Sequence, residues 1–201
     1  MTATSATASA AQERGKGAET RAAILARALD VASIDGLEGL TIGRLAAELE
    51  MSKSGLFAHF GSKQDLQLAT IEAAARRFRA VIAPALEAPE GAPRLRAMSE
   101  LYLAHLEQGA YPGGCFWAAT AAEFDDRPGP VRDAIAAGLD AWLAELERQA
   151  DTAGAADPPR FAFELYAVVT AANSRYRLSA DPAVFGYARA GMERLLGELP
   201  R

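Results

Sequence analysis

Cysteine and histidine are nearly absent: the chain has one cysteine, Cys115, and two histidines, His59 and His105. A single cysteine excludes an intrachain disulfide and fits a reducing compartment. So few Cys and His residues give no metal-ligand spacing, and no metal or cofactor is expected. No uncharged apolar run approaches the ~18 residues of a membrane span, and the first residues lack the apolar stretch of a secretory leader. A cytoplasmic protein with no membrane partner is therefore expected. Basic charge is not in excess either: 21 Lys and Arg stand against 26 Asp and Glu, for a formal net charge of -5. Any surface that binds nucleic acid must then be local, with the acid placed elsewhere. β-Branched runs are scarce, and there is neither an expected strand nor an internal repeat.

What is present is a helix-forming chain of 201 residues, 50% hydrophobic, enough for one compact domain or two small ones sharing a core. The expected fold is all-α with about nine helices. Residues 1–17 are small and polar without apolar period and are expected as a disordered arm, with Arg14 and Lys16 at its inner end, suited either to a minor groove or to a plain tail. A first helix is expected over 19–34, where Ile24, Leu25, Ala28, Leu29 and Ala32 recur at three- and four-residue steps. Gly36 suits its C′ position, with Leu37 packing back. Thr41, Ser52 and Ser62 suit the N-caps of the next three helices, the last ending near Pro84. Proline and glycine punctuation then separates helices over 95–108, 115–123, 131–150, 160–178 and 182–199.

The second and third helices lie in "TIGRLAAELE" and "SKSGLFAHF", residues 41–50 and 52–60, the spacing of a helix-turn-helix. B-DNA's major groove, roughly 12 Å wide, admits one helix, and the first helix of such a pair braces the second. The third helix is built for this. Leu56 and Phe60 share one face, while Lys53, Ser54, Phe57 and Ala58 share the opposite one. Gly55 and Ser54 permit close approach of a backbone.

Residues 20–66, and above all "SKSGLFAHFGSK", resemble the DNA-binding domain of the TetR family of transcriptional regulators. The resemblance implies a helix-turn-helix domain over 18–66 and a ligand-binding and dimerising helical domain over 67–201. It implies DNA contacts by Thr41, Ser52, Lys53, Ser54, Gly55, Phe57, Ala58, His59 and Lys63: Thr41 and His59 on phosphate, Lys53 at the start of the recognition helix, Phe57 against the backbone, Lys63 on phosphate. Three residues depart from the family's pattern. Glu50 stands where glycine is usual, so the turn is expected to close differently. Phe57 replaces a tyrosine and lacks its hydroxyl. Ala58 leaves room for a thymine methyl.

Competing readings stay open at this point. The helix pair suits an αα-hairpin that only packs, in a small binding or scaffold protein; His59 suits a structural place, and Lys53 and Lys63 suit solvated surface. A helical enzyme would use Cys115 with a histidine, or Asp125 and Asp126 on a metal, but neither has the surrounding motif. A redox role for Cys115 needs an acidified thiol, and no cation is adjacent. In the second half, Met98, Tyr102, His105, Phe116, Trp117, Phe124, Trp142 and Tyr166 suit either an apolar effector pocket or the core. On the last two helices, stripes of Phe161, Leu165, Val168, Val169, Ala172 and Tyr176, and of Val184, Phe185, Ala188, Met192, Leu195, Leu196 and Leu199, suit a twofold interface or the chain's own core. The expected function is a ligand-responsive regulator, a repressor that binds a palindromic operator as a homodimer, with a small, largely apolar effector.

Overall fold

The computed structural model describes residues 3–200, with side chains from residue 16 onward. Nine α-helices are present among the described residues: α1 (Ala3–Asp35), α2 (Ile42–Glu48), α3 (Lys53–Phe60), α4 (Lys63–Ile82), α5 (Ala92–Glu107), α6 (Phe116–Phe124), α7 (Pro130–Thr152), α8 (Pro158–Ser179) and α9 (Ala183–Leu196), with a 3₁₀ turn at Ala83–Glu87 after α4. None is long and apolar enough to cross a membrane.

Side-chain capping sets the starts of α2, α3 and α4. Thr41, Ser52 and Ser62 each accept the backbone N–H three residues on, from Arg44, Gly55 and Asp65. Pro84 turns the end of α4 into the 3₁₀ segment. The start of α1 differs from expectation: it reaches back to Ala3, through the arm expected over 1–17. Ala3, Ala6, Ala8, Ala10 and Ala11 are strong helix formers and no proline interrupts them. The Arg14 side chain lies outside the described residues, while Lys16 is exposed.

One continuous core runs from α1 to α9. In the first three helices it takes Ile24, Leu25, Ala28, Leu29, Ala32, Leu45, Ala46, Leu56 and Phe60, while Ile42 and Leu49 of α2 are only half-buried. The turn between α2 and α3 closes in the usual way despite Glu50. That residue itself adopts the left-handed conformation (φ 54°), and Met51 N–H donates to Ala46 O at 2.8 Å. The expected change of turn is therefore corrected: the backbone is kept, at roughly 1–2 kcal/mol of strain for a residue with a Cβ.

The α1–α2 loop is clasped from two sides. Leu37 and Glu38 N–H groups donate to the two oxygens of Glu123, at the end of α6, at 2.7 and 2.9 Å. Gly36, at φ 74°, makes room, since a Cβ there would collide with that carboxylate. From α4, Gln67 donates to Leu37 O at 2.9 Å, and Lys63 donates to Glu38 O at 2.9 Å and to its carboxylate at 2.8 Å. Lys63, then Gln67, hold the Glu38 carboxyl below its ordinary range. Nearby, the Gly113 N–H donates to Ser33 Oγ at 2.9 Å, and a Cβ at Gly113 would strike the Ser33 backbone.

The apolar stripes expected to pair α8 and α9 with a twofold copy mostly face this chain's own core. Phe161, Leu165, Val169 and Ala172 are buried, as are Val184, Phe185, Ala188, Met192, Leu195, Leu196 and Leu199; Val168 and Tyr176 are half-buried. The chain's own interior takes those faces first. A different stripe is exposed: Phe163, Ala167, Ala171, Ser174 and Leu178 on α8, beside Gly186, Tyr187 and Ala190 on α9.

Two outcomes test these local forces in thermal unfolding of the whole chain. Glu50→Gly relieves the left-handed strain, less ~0.4–1 kcal/mol for the freer unfolded chain, so Tm rises by about 1–3 °C; a fall would show that Glu50 is unstrained. Glu123→Ala strands two amides for about 1–3 kcal/mol and lowers Tm by about 2–10 °C, with Glu123→Gln falling between the two; an unchanged Tm for the alanine variant would remove the clasp.

Candidate nucleic-acid interface and effector cavity

Helix α3 presents one face outward. By helical periodicity Ser54 and Ala58 point furthest from the buried Leu56 and Phe60, with Gly55 and His59 to one side and, rather than fully opposite as expected, Lys53 and Phe57 to the other. Lys53, Ser54, Phe57 and Ala58 join Ile42 and Gly43 of α2 in a shallow open depression. Phe57 is 52% exposed, an apolar ring on a polar surface. Thr41 is exposed, and its hydroxyl hydrogen stays available beyond the cap. Ser52 is likewise exposed, its Oγ 3.3 Å from that of Ser54.

Gly55, His59 and Lys63 stand apart from this depression. Gly55 is half-buried and turned toward the Ser52 cap. His59 is half-buried in the last turn of α3. Lys63 is engaged with Glu38. Arg44 is also occupied, by Asp35 at 2.7 Å and Glu48 at 3.0 Å. Lys53 makes no ion pair among the described residues.

The second site is a cavity of about 550 Å³ between α4, α5, α6 and α7. Ala75, Phe78 and Ile82 of α4, Met98, Trp117, and Gly138 and Trp142 of α7 form its walls. Trp117 leans across α7 at Gly138, where any Cβ would collide with its ring. Phe78, Tyr102 and Trp142 make a mutual edge-to-face cluster, with centroids 4.9 to 5.7 Å apart.

Of the expected pocket residues, Met98, Trp117 and Trp142 line this cavity and the others do not. Tyr102, His105 and Phe116 surround a gap of only about 10 Å³ beside Cys115, and Tyr166 borders another of the same size; neither admits more than a water. Phe124 is buried at the end of α6 under the Arg127 guanidinium. Tyr102, Phe116 and Phe124 are core positions, with His105 and Tyr166 half-buried beside them: inward aromatics fill a helical interior before they line a pocket. Missed were Phe78, Arg79 and Ile82 on α4 and Glu145 and Arg148 on α7. Their signal was Ala75, Phe78, Arg79 and Ile82 at i, i+3, i+4 and i+7, the face that α4 turns toward α7.

No nucleophile with its base is assembled in either site. Cys115 is buried, 3.1 Å from the Tyr102 hydroxyl, and burial raises its thiol above the usual range. Burial also depresses the pKa of His105, assisted by Arg77. Among the described residues no cluster of three or more His, Cys, Asp or Glu is placed to hold a metal ion, and Asp125 and Asp126 sit exposed in the α6–α7 loop.

Residues 24–70 match the family described as bacterial regulatory proteins, tetR family, and residues 91–192 match the tetracyclin repressor-like C-terminal domain. Among functionally curated proteins no sequence matches. Solved structures resemble the chain over most of its length. A TetR-family transcriptional regulator from Streptomyces coelicolor is 25% identical, covering 92% of this chain and 97% of its own, with a TM-score of 0.79. A TetR transcriptional regulator from Chloroflexus aurantiacus is 24% identical over the same shares, at 0.83. AibR, solved in complex with isovaleryl coenzyme A and operator DNA, is 20% identical over 89% of this chain and 97% of its own, at 0.62. With the N-terminal family match over the helix-turn-helix and the C-terminal domain match over half of the chain, the chain belongs to the TetR family of transcriptional regulators.

Proposed function

We propose that this ligand-responsive DNA-binding regulator is a cytoplasmic, non-enzymatic repressor that holds a palindromic operator as a homodimer and releases it when a small molecule fills the α4–α7 cavity. One observation carries this reading. Helix α4 follows α3 after two residues and ends in the cavity wall, so a single rod joins the helix-turn-helix to the cavity. The shared fold of AibR, whose complex holds both a small molecule and operator DNA, supports it.

On DNA, Lys53 supplies charge at the N-terminus of α3, and Ser54 and Ala58 meet base edges. Phe57 lies on the sugar-phosphate backbone, with Thr41 and Ser52 donating to phosphate. His59 and Lys63 reach phosphate at the margin, Lys63 exchanging Glu38 for it. Gly55 contributes closeness rather than a contact. Two copies at roughly 34–36 Å would engage successive major grooves. The exposed stripe of Phe163, Ala171, Leu178 and Tyr187 is the surface we assign to the twofold contact, since large apolar groups in a row on two adjacent helices are costly to leave in water. An effector favouring a second conformation needs about 1–3 kcal/mol of coupling to release DNA.

A gel shift on the DNA upstream of the chain's own gene tests the reading. A salt-sensitive, sequence-preferring complex is expected. Lys53→Ala weakens it about tenfold with helicity unchanged, and Phe57→Tyr, which restores a donor to phosphate, tightens it about 3–10-fold. No complex at any salt, or an unaltered one with Lys53→Ala, would leave a helical protein whose helix-turn-helix only packs. For the dimer, Phe163→Glu with Tyr187→Glu shifts sedimentation from dimer to monomer; a double variant that stays dimeric places the interface elsewhere.

A further inference from the structure

We propose that the effector is a compact amphiphile with an anionic head: its apolar body fills the cavity and a carboxylate or phosphate meets Arg79 at the rim. This rests on the reading of the cavity as the effector site. It goes further, by fixing the sign of the ligand's charge and where that charge sits.

The cavity lining is mostly apolar with a few charged groups. Ala75, Ile82, Met98, Trp117 and Gly138 line it without charge, and its charged lining is Arg79, Glu145 and Arg148, of which Arg79 is exposed. The lining acid Glu145 and its neighbour Glu90 are both already taken. Glu145 Oε1 accepts from Arg148 and Gln149, each at 2.9 Å, and its Oε2 accepts from Arg148 Nε at 3.0 Å. Arg148 reaches on to Glu90 at 3.1 Å, and Glu90 also accepts from Arg94 at 3.0 Å. Two acids and two guanidiniums thus neutralise one another. One turn away, Arg76 is paired with Glu72. Arg79 makes no ion pair among the described residues, so the rim carries one uncompensated positive charge.

That charge selects. An ammonium head would meet Arg79 and find both carboxylates bonded. A neutral head would gain nothing from the rim. A carboxylate or phosphate pairs with a planar guanidinium through two N–H donors. The body must be modest in size: about 550 Å³ holds roughly 18 water-sized groups at liquid density. A ten-carbon chain with its head fits within that.

The protein carries its own reporter, because its two tryptophans, Trp117 and Trp142, both line the cavity. The full chain is titrated with decanoate, decyl phosphate, decanol and decylamine below their aggregation thresholds, following tryptophan fluorescence. Decanol is the most apolar of the four, so burial alone would rank it first. We expect decanoate or decyl phosphate instead to bind about fivefold tighter than decanol and decylamine, the difference between the two anions telling which head the rim prefers. Arg79→Gln should erase that preference and leave decanol unaltered, and Ala75→Leu, which adds bulk to the apolar lining, should weaken all four. Decanol or decylamine binding as tightly as the anions, or Arg79→Gln leaving the anions unaffected, overturns the anionic head and leaves the effector cavity standing. No fluorescence response to any of the four overturns both.

Discussion

The carboxylate of Glu123 pins the α1–α2 loop to α6, across a core that the two halves of the chain already share. Adjacent backbone N–H groups in a non-repeating loop point the same way only briefly, and a carboxylate has two oxygens to meet two of them. Leu37 and Glu38 provide that pair, and Gly36 leaves the carboxylate room. The loop's remaining polar groups face α4, where Gln67 and Lys63 take them. The α1–α2 loop therefore touches both helices that border the cavity on the DNA-binding side. Trp117 and Glu123 lie on one short helix, six residues or about 9 Å apart, so cavity wall and clasp move as one body.

Charge is distributed with the same economy. A chain of net charge -5 can approach DNA only where acid is absent or neutralised. Arg44 and Arg27 neutralise Glu48, and Arg44 also neutralises Asp35, which quiets the acids of the helix-turn-helix. Lys53 is left to face outward. Lys63 is an intermediate case. Its pair with Glu38 is exposed on both sides, and such pairs contribute about 0–1 kcal/mol. A phosphate can replace Glu38 at little cost, so the resting ion pair and a DNA contact by Lys63 are compatible.

Local chemistry was legible in the sequence. Three hydroxyl caps, one glycine after α1 and a proline after α4 set most boundaries of the first half, because each acts within four residues of itself. Glu50 was legible as an anomaly, but not its outcome: buried Leu45, Ala46 and Leu56 on both sides of the turn hold the backbone, and tertiary packing outweighs one strained residue. The Glu123 clasp was not legible, because its partners lie 85 and 86 positions away and an acid at a helix end usually meets water. Pocket and core could not be separated for Tyr102 or Phe124, since both need inward-facing aromatics and only three-dimensional packing decides where space is left. On α8 and α9 the most apolar stripe was the one the chain keeps for itself, and the less conspicuous Phe163, Leu178 and Tyr187 reach the surface. In α1 the small polar residues read as disorder, although their alanines support a helix.

The placement of the cavity also bears on how a small ligand could govern a large partner. Helix α4 has 20 residues, about 30 Å of rod, with α3 at one end and the cavity at the other. A tilt of about 5° pivoting at the cavity end would move the α3 end by roughly 2.6 Å over that length. In a twofold dimer the two displacements add, to about 5 Å in the separation of the recognition helices, against a half-site spacing of roughly 34–36 Å. That exceeds the 3.4 Å rise of one base pair on each strand. The clasp sets the condition for this leverage. Because Glu123 and Lys63 grip the same loop, α4 cannot tilt alone: either α6 follows it, or the bonds to Leu37 and Glu38 break. A ligand that contacts Trp117 on α6 as well as Phe78 and Ile82 on α4 pushes on both at once. A ligand held by α4 alone would have to work against the clasp.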